Sequence, residues 1–132
     1  TMNLDKTMFE FYDTLESILS ELKLEQSIAA LHRHIYEKRR PLDEVIDALR
    51  MAGFTIKDLE HDQFNYNFTD GTAMLHHFVM RMAFMDSWIK ILPENRVEEI
   101  FDLLETRLNE QAARLGRLQL SVPWVVIDAV RD

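Results

Sequence analysis

Residues 64–78 of the chain, FNYNFTDGTAMLHHF, decide the fold, because a strand, a turn and the start of a helix follow one another directly. Three aromatic residues, Phe64, Tyr66 and Phe68, alternate with two asparagines. This period of two is typical of a strand with one buried face and one polar face. We therefore predict a half-buried strand over about 55–68.

The segment after this strand is predicted to form a long helix. Asp70 lies in the turn before it, where a carboxylate can accept hydrogen bonds from the free amides of the first helical turn. Apolar residues then surround much of the circumference as far as Pro93, which ends the helix, so we predict a helix over about 72–92. A helix with so many apolar positions is buried on several sides, or it faces a pocket or a partner.

Three helices are predicted before the strand. Apolar residues recur at spacings of three and four over about 7–23, 25–38 and 42–52. Pro41 is suited to begin the third of these helices, and Gly53 is suited to end it.

The rest of the chain predicts one more helix and a closing strand. The helix is expected over about 95–115, ended by Gly116, and the strand over about 118–128, with consecutive apolar residues that are typical of a strand covered on both faces. Pro123 lacks a backbone donor, so we expect it at a sheet edge or a bulge. Residues 1–132 are therefore predicted to form one α+β domain, with about five helices packed on a small antiparallel two-stranded sheet.

The composition argues against several classes of protein and site. The net charge of −8, from 23 acidic and 15 basic residues, disfavours binding to nucleic acids and to anionic membranes. The absence of cysteine excludes disulfides and thiolate metal sites, and it fits a cytoplasmic protein. No apolar run approaches the ~20 residues that span a bilayer. His32 and His34 would diverge by ~200° on a helix, so no metal site is expected.

Three stretches of the chain carry a resemblance to a known family. They are residues 34–42 with the amphipathic helix that leads to Ala52-Gly53-Phe54, residues 64–78, and residues 108–124. The first is similar to the helix and turn before a sixth strand, the second to an "F-x-DG-x-A-hh-x-H" segment, and the third to a last helix and closing strand. Together they resemble the carboxyl-terminal part of class I S-adenosylmethionine-dependent methyltransferases of the small-molecule type. In that family the closing strand lies antiparallel beside the preceding strand.

The resemblance implies a fragment of such an enzyme. The family binds S-adenosylmethionine through a glycine-rich loop after its first strand, where small residues let the backbone approach the ligand. This chain has three glycines, Gly53, Gly71 and Gly116, and they are far apart in sequence. The cofactor is therefore expected on the parent protein and not on this chain, which is expected to be inactive alone. Its implied partner is the amino-terminal half, and the surfaces that this half would cover predict a homo-oligomer.

The same resemblance implies that the long helix covers the substrate side of the cofactor cleft and that candidate site residues lie on it. His76 or His77 is suited to act there as a general base on the methyl acceptor. Arg81 is suited to clamp a substrate carboxylate, and Phe84 and Trp88 to form an aromatic pocket wall. Each also has a structural interpretation, which we favour: the histidines are exposed or hydrogen-bonded, the arginine pairs with a surface carboxylate, and the aromatic rings belong to the core.

A stand-alone helical domain for protein–protein interaction is the alternative to the methyltransferase. Its methionine-rich apolar helix would dock a partner without catalysis, because methionine side chains adapt to irregular surfaces. The sequence upstream of Thr1 discriminates the two hypotheses. A strand followed by a Gly-x-Gly loop there supports the methyltransferase, whereas a start codon at Met2 supports the interaction domain.

Overall fold

The computed structural model describes residues 1–131 and has an α+β architecture, which confirms the predicted class. The α-helices are α1 (Phe9–Glu21), α2 (Glu25–Lys38), α3 (Leu42–Met51), α4 (Gly71–His76), α5 (Phe78–Met80), α6 (Asp86–Ile89) and α7 (Val97–Leu115). The strands are β1 (Met2–Asn3), β2 (Phe54–Phe68) and β3 (Leu118–Arg131). A π-helical turn, Arg81–Met85, joins α5 to α6, and a 3₁₀ turn, Glu94–Arg96, precedes α7. Within residues 1–131, no helix has both the length and the apolar character that crossing a membrane requires.

The sheet has three strands, so the prediction of a two-stranded sheet is wrong in this respect. The strand order is β1-β3-β2, and β3 is antiparallel to both of its neighbours. The additional strand, Met2–Asn3, pairs with Val125 and Trp124. Two residues are too few to show a strand periodicity, which is why the sequence pattern does not reveal this strand.

Pro123 lies in the middle strand, which corrects the expectation of an edge or a bulge. It is opposite Gln63 of β2, and the irregularity in the β2–β3 register is elsewhere, between Ile56 and Asp58. The N–H of Leu4 donates to the Pro123 carbonyl at 2.8 Å. Because the N–H and C=O of one strand residue point to the same side, the donor that proline lacks would also face this side, just past the end of β1. The ladder between β2 and β3 therefore loses no hydrogen bond at Pro123.

The core lies between the helices and one end of the sheet. Helices α1 and α7 contact each other, and both contact β3. Leu118 and Leu120 of β3 belong to the central apolar cluster. The largest fully buried side chains are Trp88, Phe11, Met8, Leu15, Ile18, Leu19, Leu31, Met74, Met80, Ile100, Leu104 and Leu108. One core therefore includes side chains from α1, α2, α4, α5, α6, α7 and β3.

Most of β2 lies outside this core. Phe68 packs against the central cluster, whereas Phe64 and Tyr66 are 42% and 44% exposed. Every side chain from Lys57 to Asn67 is exposed, so the expectation of a half-buried strand is wrong for most of β2. The alternation indicates which aromatic residues share a face of the strand, but it does not indicate whether another element covers that face.

The helix predicted over 72–92 is interrupted at His77. This residue has an extended backbone, with φ −65° and ψ 134°, and the helical conformation resumes at Phe78. Met74 and Met80 are both buried in the core. The break therefore lies between two residues that both contribute to the core.

Candidate functional site

The two candidate histidines, His76 and His77, lie at the helix break, and both are exposed. His77 is the N-cap of α5, where its Nδ1 accepts a hydrogen bond from the Val79 N–H at 3.3 Å. Its ring meets the Phe68 ring edge-on, with the centroids 5.4 Å apart. His76 ends α4, and its side chain forms no hydrogen bond within the described residues. His77 therefore has a structural role, because it caps a helix and packs against the end of β2.

Arg81 is exposed in the π-helical turn that follows. Its N–H donates to the His77 carbonyl at 3.0 Å. Its guanidinium forms no ion pair with any residue in 1–131, so the surface carboxylate expected as its partner is not found there. Phe78 and Met82 beside it are 72% and 70% exposed. This segment thus presents one cation and two large apolar side chains to solvent.

Phe84 and Trp88 stabilise the core. Trp88 is fully buried and stacks on Phe11, with ring centroids 4.1 Å apart, and on Phe84, with centroids 5.4 Å apart. The ring planes are tilted by 25° in the first pair and 16° in the second, so the three rings form an approximately parallel stack. Phe84 is partly buried and packs against the same cluster. Most of the Trp88 ring therefore packs in the core, and its buried indole N–H requires a hydrogen-bond acceptor.

The indole N–H of Trp88 begins a chain of hydrogen bonds that leads out of the core. We call this chain the Trp88–Tyr12–His34 relay. The Trp88 Nε1–H donates to the Tyr12 hydroxyl at 3.2 Å, and the Tyr12 hydroxyl is 3.2 Å from His34 Nε2. Trp88 comes from α6, Tyr12 from α1 and His34 from α2, so the relay joins three helices. Tyr12 is 4% exposed, whereas His34 is half-buried.

The chemistry of the groups fixes the direction of the first hydrogen bond, whereas the direction of the second depends on the tautomer of His34. An indole nitrogen is a donor only, so the Tyr12 oxygen accepts from Trp88. The Tyr12 proton then needs an acceptor, and His34 Nε2 is the partner within reach. This arrangement requires a neutral imidazole that carries its proton on Nδ1.

The pKa shifts of the two titratable groups agree with a neutral relay. Burial raises the pKa of Tyr12, although the Trp88 hydrogen bond and the charge of Arg39 partly oppose this. Burial also lowers the pKa of His34, and the neighbouring charges of Lys38 and Arg39 lower it further. Both shifts favour the uncharged forms, in which Tyr12 donates and His34 accepts.

His34 also lines a cleft of about 290 Å³ between α2 and the end of α6. The relay therefore connects a fully buried tryptophan to a surface cavity through a tyrosine and a histidine. The sequence pattern does not identify Tyr12 or His34 as site residues, because Tyr12 falls within the apolar stripe of the first helix and the spacing of His34 from His32 suggests only a metal ligand. The signal that identifies them is chemical, since a buried tyrosine hydroxyl requires a hydrogen-bond partner.

The three glycines have local structural roles. Gly53 and Gly116 have φ values of 90° and 83°, and they follow the ends of α3 and α7, where glycine is favoured. Gly71 lets α4 approach α7, because a Cβ atom at this position would lie 2.5 Å from the Cβ of Leu108. Each of the three glycines therefore serves the end of a helix or the contact between two helices.

The histidines on α2 have separate partners. His32 contacts Glu16, whereas His34 contacts Tyr12. Within residues 1–131, no group of three or more histidine or carboxylate side chains is placed to hold a metal ion.

Comparison with known proteins found no match: no protein-family model, no curated protein and no solved structure matches the chain.

Proposed function

We propose that the chain is the substrate-side carboxyl-terminal segment of an S-adenosylmethionine-dependent methyltransferase that acts on a small molecule. The observation that carries this proposal is the position of β3, which lies antiparallel beside β2. The sequence resemblance implies this arrangement for the closing strand of the family. β3 also inserts between β1 and β2, so the last strand of the chain is the middle strand of the sheet.

The β1 side of the sheet offers further support. β2 pairs with β3 from Leu118 to Arg131, whereas β1 pairs with only Trp124 and Val125. Before Trp124, the N–H groups of Leu4 and Met8 already donate to the carbonyls of Pro123 and Ser121 on this side. The backbone of β3 after Val125 is therefore the part that is available to an additional strand. Under the proposal, the strands of the cofactor-binding half continue the sheet here.

The segment between His77 and Trp88 supplies the substrate side of the proposed enzyme. Its exposed side chains include Phe78, Arg81 and Met82. Large apolar groups beside an unpaired guanidinium are suited to hold a small organic molecule that carries an acidic group. We propose that these residues face the cofactor cleft of the complete enzyme, with His76 as the candidate general base.

The cofactor itself belongs to the missing half under this proposal. When bound there, S-adenosylmethionine supplies the methyl group that is transferred. The part provided by this chain is to orient the acceptor, to exclude water and to take up a proton at His76 if the acceptor must lose one. The proposal also places the enzyme in the cytoplasm, in keeping with the absence of cysteine.

Calorimetry with S-adenosylmethionine tests the proposal on two proteins. One is the 132-residue chain, and the other is the product of the complete reading frame that encodes it. We expect saturable binding by the complete product and no heat beyond dilution from the chain alone. Micromolar binding by the chain alone would overturn the assignment of the cofactor to another segment, and a complete product that does not bind would overturn the methyltransferase.

A protein–protein interaction domain is the second candidate, and the exposure of Phe78 and Met82 favours it. These side chains are 72% and 70% exposed and lie four positions apart in one helical segment, so together they can form an apolar patch for a partner. A reading frame that starts at Met2 would support this function, whereas an upstream strand with a Gly-x-Gly loop would support the methyltransferase.

A further inference from the structure

The cleft that His34 lines is rich in positive charge. Its lining residues are Ala30, Arg33, His34, Glu37, Lys38, Ser87, Lys90 and Ile91. The residues from α2 recur at spacings of three and four, so they share one face of that helix. The remaining three come from α6 and the two residues that follow it. Two elements therefore bring three cations to one cavity of about 290 Å³.

The cations of the cleft outnumber its acidic side chains. Arg33, Lys38 and Lys90 form no ion pair with any residue in 1–131. Among these described residues, Glu37 is the one carboxylate that lines the cleft. The chain as a whole has a net charge of −8, so an excess of positive side chains in one cavity differs from its general composition. Three cations beside one carboxylate repel one another, and a bound anion would relieve this repulsion.

The groups in the cleft are hydrogen-bond donors of the kind that oxyanions accept. Arg33 provides a planar fork of N–H groups, and the two lysines provide ammonium groups. Ser87 adds a hydroxyl group. In the neutral tautomer that accepts from Tyr12 through Nε2, His34 carries its proton on Nδ1, which is then a further donor. Donors therefore outnumber acceptors in this cavity.

A second depression adjoins the first and provides room for the rest of a ligand. Its volume is about 570 Å³, and it shares Arg33 and Ile91 with the cleft. Lys23, Ser27 and Pro93 also line it. The shared residues place this second depression next to the cleft, on the side of Lys23.

We propose that the cleft between α2 and α6 binds the oxyanion of a small organic acid, a phosphate or a carboxylate, with Arg33, Lys38 and Lys90 as its ligands. This site does not include Phe78, Arg81 or Met82, and it does not rest on the methyltransferase proposal. The relay makes the site observable, because an anion beside His34 perturbs the hydrogen bond that Tyr12 donates and, through it, the indole N–H of Trp88.

Titration of the isotope-labelled chain with sodium phosphate, followed by nuclear magnetic resonance, tests this proposal. Sodium acetate is the second titrant, and sodium chloride at matched ionic strength controls for screening. We expect saturable shifts for residues 30–38 and 87–91 and for the Trp88 indole N–H. Saturation by phosphate identifies a phosphate ligand, and saturation by acetate identifies a carboxylate ligand. Shifts that grow linearly with both salts, or that chloride reproduces, would overturn the proposal.

Two pairs of charge variants locate the site. Lys38→Gln and Lys90→Gln should each weaken the affinity for the anion that saturates the wild-type chain by about tenfold, as expected for the loss of one charge-assisted hydrogen bond. Lys6→Gln and Lys57→Gln remove the same charge from exposed positions that do not line the cleft, and they should leave the affinity within about twofold. An equal loss in both pairs would show that net charge alone attracts the anion, and it would overturn the assigned ligands.

Discussion

At the residue scale, the Tyr12 hydroxyl joins two groups that would otherwise lack partners. Trp88 is fully buried, and its Nε1–H donates to this hydroxyl. We predict that Tyr12→Phe lowers the free energy of unfolding by about 1–3 kcal/mol, because the indole N–H is left buried without an acceptor. Urea denaturation at neutral pH measures the change.

Tyr66→Phe is the matched control for this substitution. Tyr66 is 44% exposed in β2, and its hydroxyl forms no hydrogen bond within the described residues. Its loss should change the free energy of unfolding by less than about 0.5 kcal/mol. If both variants lose the same stability, the Tyr12 hydroxyl has no special role in the core.

His34 gives the stability of the chain a dependence on pH. Burial and the charges of Lys38 and Arg39 lower its pKa in the folded state, whereas the unfolded chain takes up the proton near the ordinary value of 6.5. The unfolded state therefore binds more protons just below this pH, and the free energy of unfolding falls as the pH drops through the window. We predict that His34→Gln makes this fall shallower in urea denaturation between about pH 7 and pH 5.

The exposed His61 provides the comparison for this pH series. His61→Gln changes the same residue type in the part of β2 that lies outside the core, so its stability should decline with pH as steeply as that of the wild-type chain. A slope that flattens equally in both variants would remove His34 as the cause.

The sequence predicts that Tyr12 and Trp88 are buried, but it does not predict their hydrogen-bond partners. Tyr12 and Trp88 fall at apolar positions of helical stripes, and both are buried, as that pattern indicates. Their mutual hydrogen bond joins positions 76 residues apart, and the bond from Tyr12 to His34 joins positions 22 residues apart. Helical periodicity reports on neighbours within one helix, so it carries no information about contacts between helices.

At the element scale, the start of α4 depends on the turn that precedes it. The Asp70 carboxylate accepts a hydrogen bond from the Ala73 N–H at 2.8 Å, as the sequence predicts for this N-cap. We predict that Asp70→Ala lowers the free energy of unfolding by about 1 kcal/mol, because this amide loses its acceptor. Asp70→Asn keeps an acceptor oxygen at the same position, so it should lower the free energy of unfolding by only about 0.3 kcal/mol. Thermal or urea denaturation compares the two variants, and equal losses would show that the carboxylate charge, and not the cap, is responsible.

Element boundaries are predictable where a capping or breaking residue marks them. Pro41, Gly53 and Gly116 mark the ends of helices in both the sequence and the structure. The interruption at His77 has no proline or glycine to signal it, and it lies between Met74 and Met80, which are both buried in the core. Such a break depends on tertiary packing, which a local pattern does not contain.

At the scale of the whole molecule, the described residues divide into a packed helical part and an exposed strand. The helices and the first residues of β3 share one core, whereas the side chains from Lys57 to Asn67 are exposed. The apolar content of the sequence predicts that a core exists, but it does not predict which apolar residues the core omits. Leu59, Phe64 and Tyr66 remain on the surface because no described element covers this part of β2.

This outer strand leads to a prediction about association. An unpaired strand edge with exposed aromatic residues favours pairing with a second chain, since backbone groups and apolar side chains are both available. We predict that the chain forms a homodimer or larger assembly through β2 and that Phe64→Lys shifts it towards the monomer, because a lysine on an edge strand opposes pairing. Sedimentation at increasing protein concentration measures the shift. Met51→Lys is the control, because Met51 is 89% exposed at the end of α3, outside the sheet, and this variant should associate as the wild-type chain does. A wild-type chain that stays monomeric at high concentration would show that the twist and the charged residues of β2 are sufficient to protect its edge.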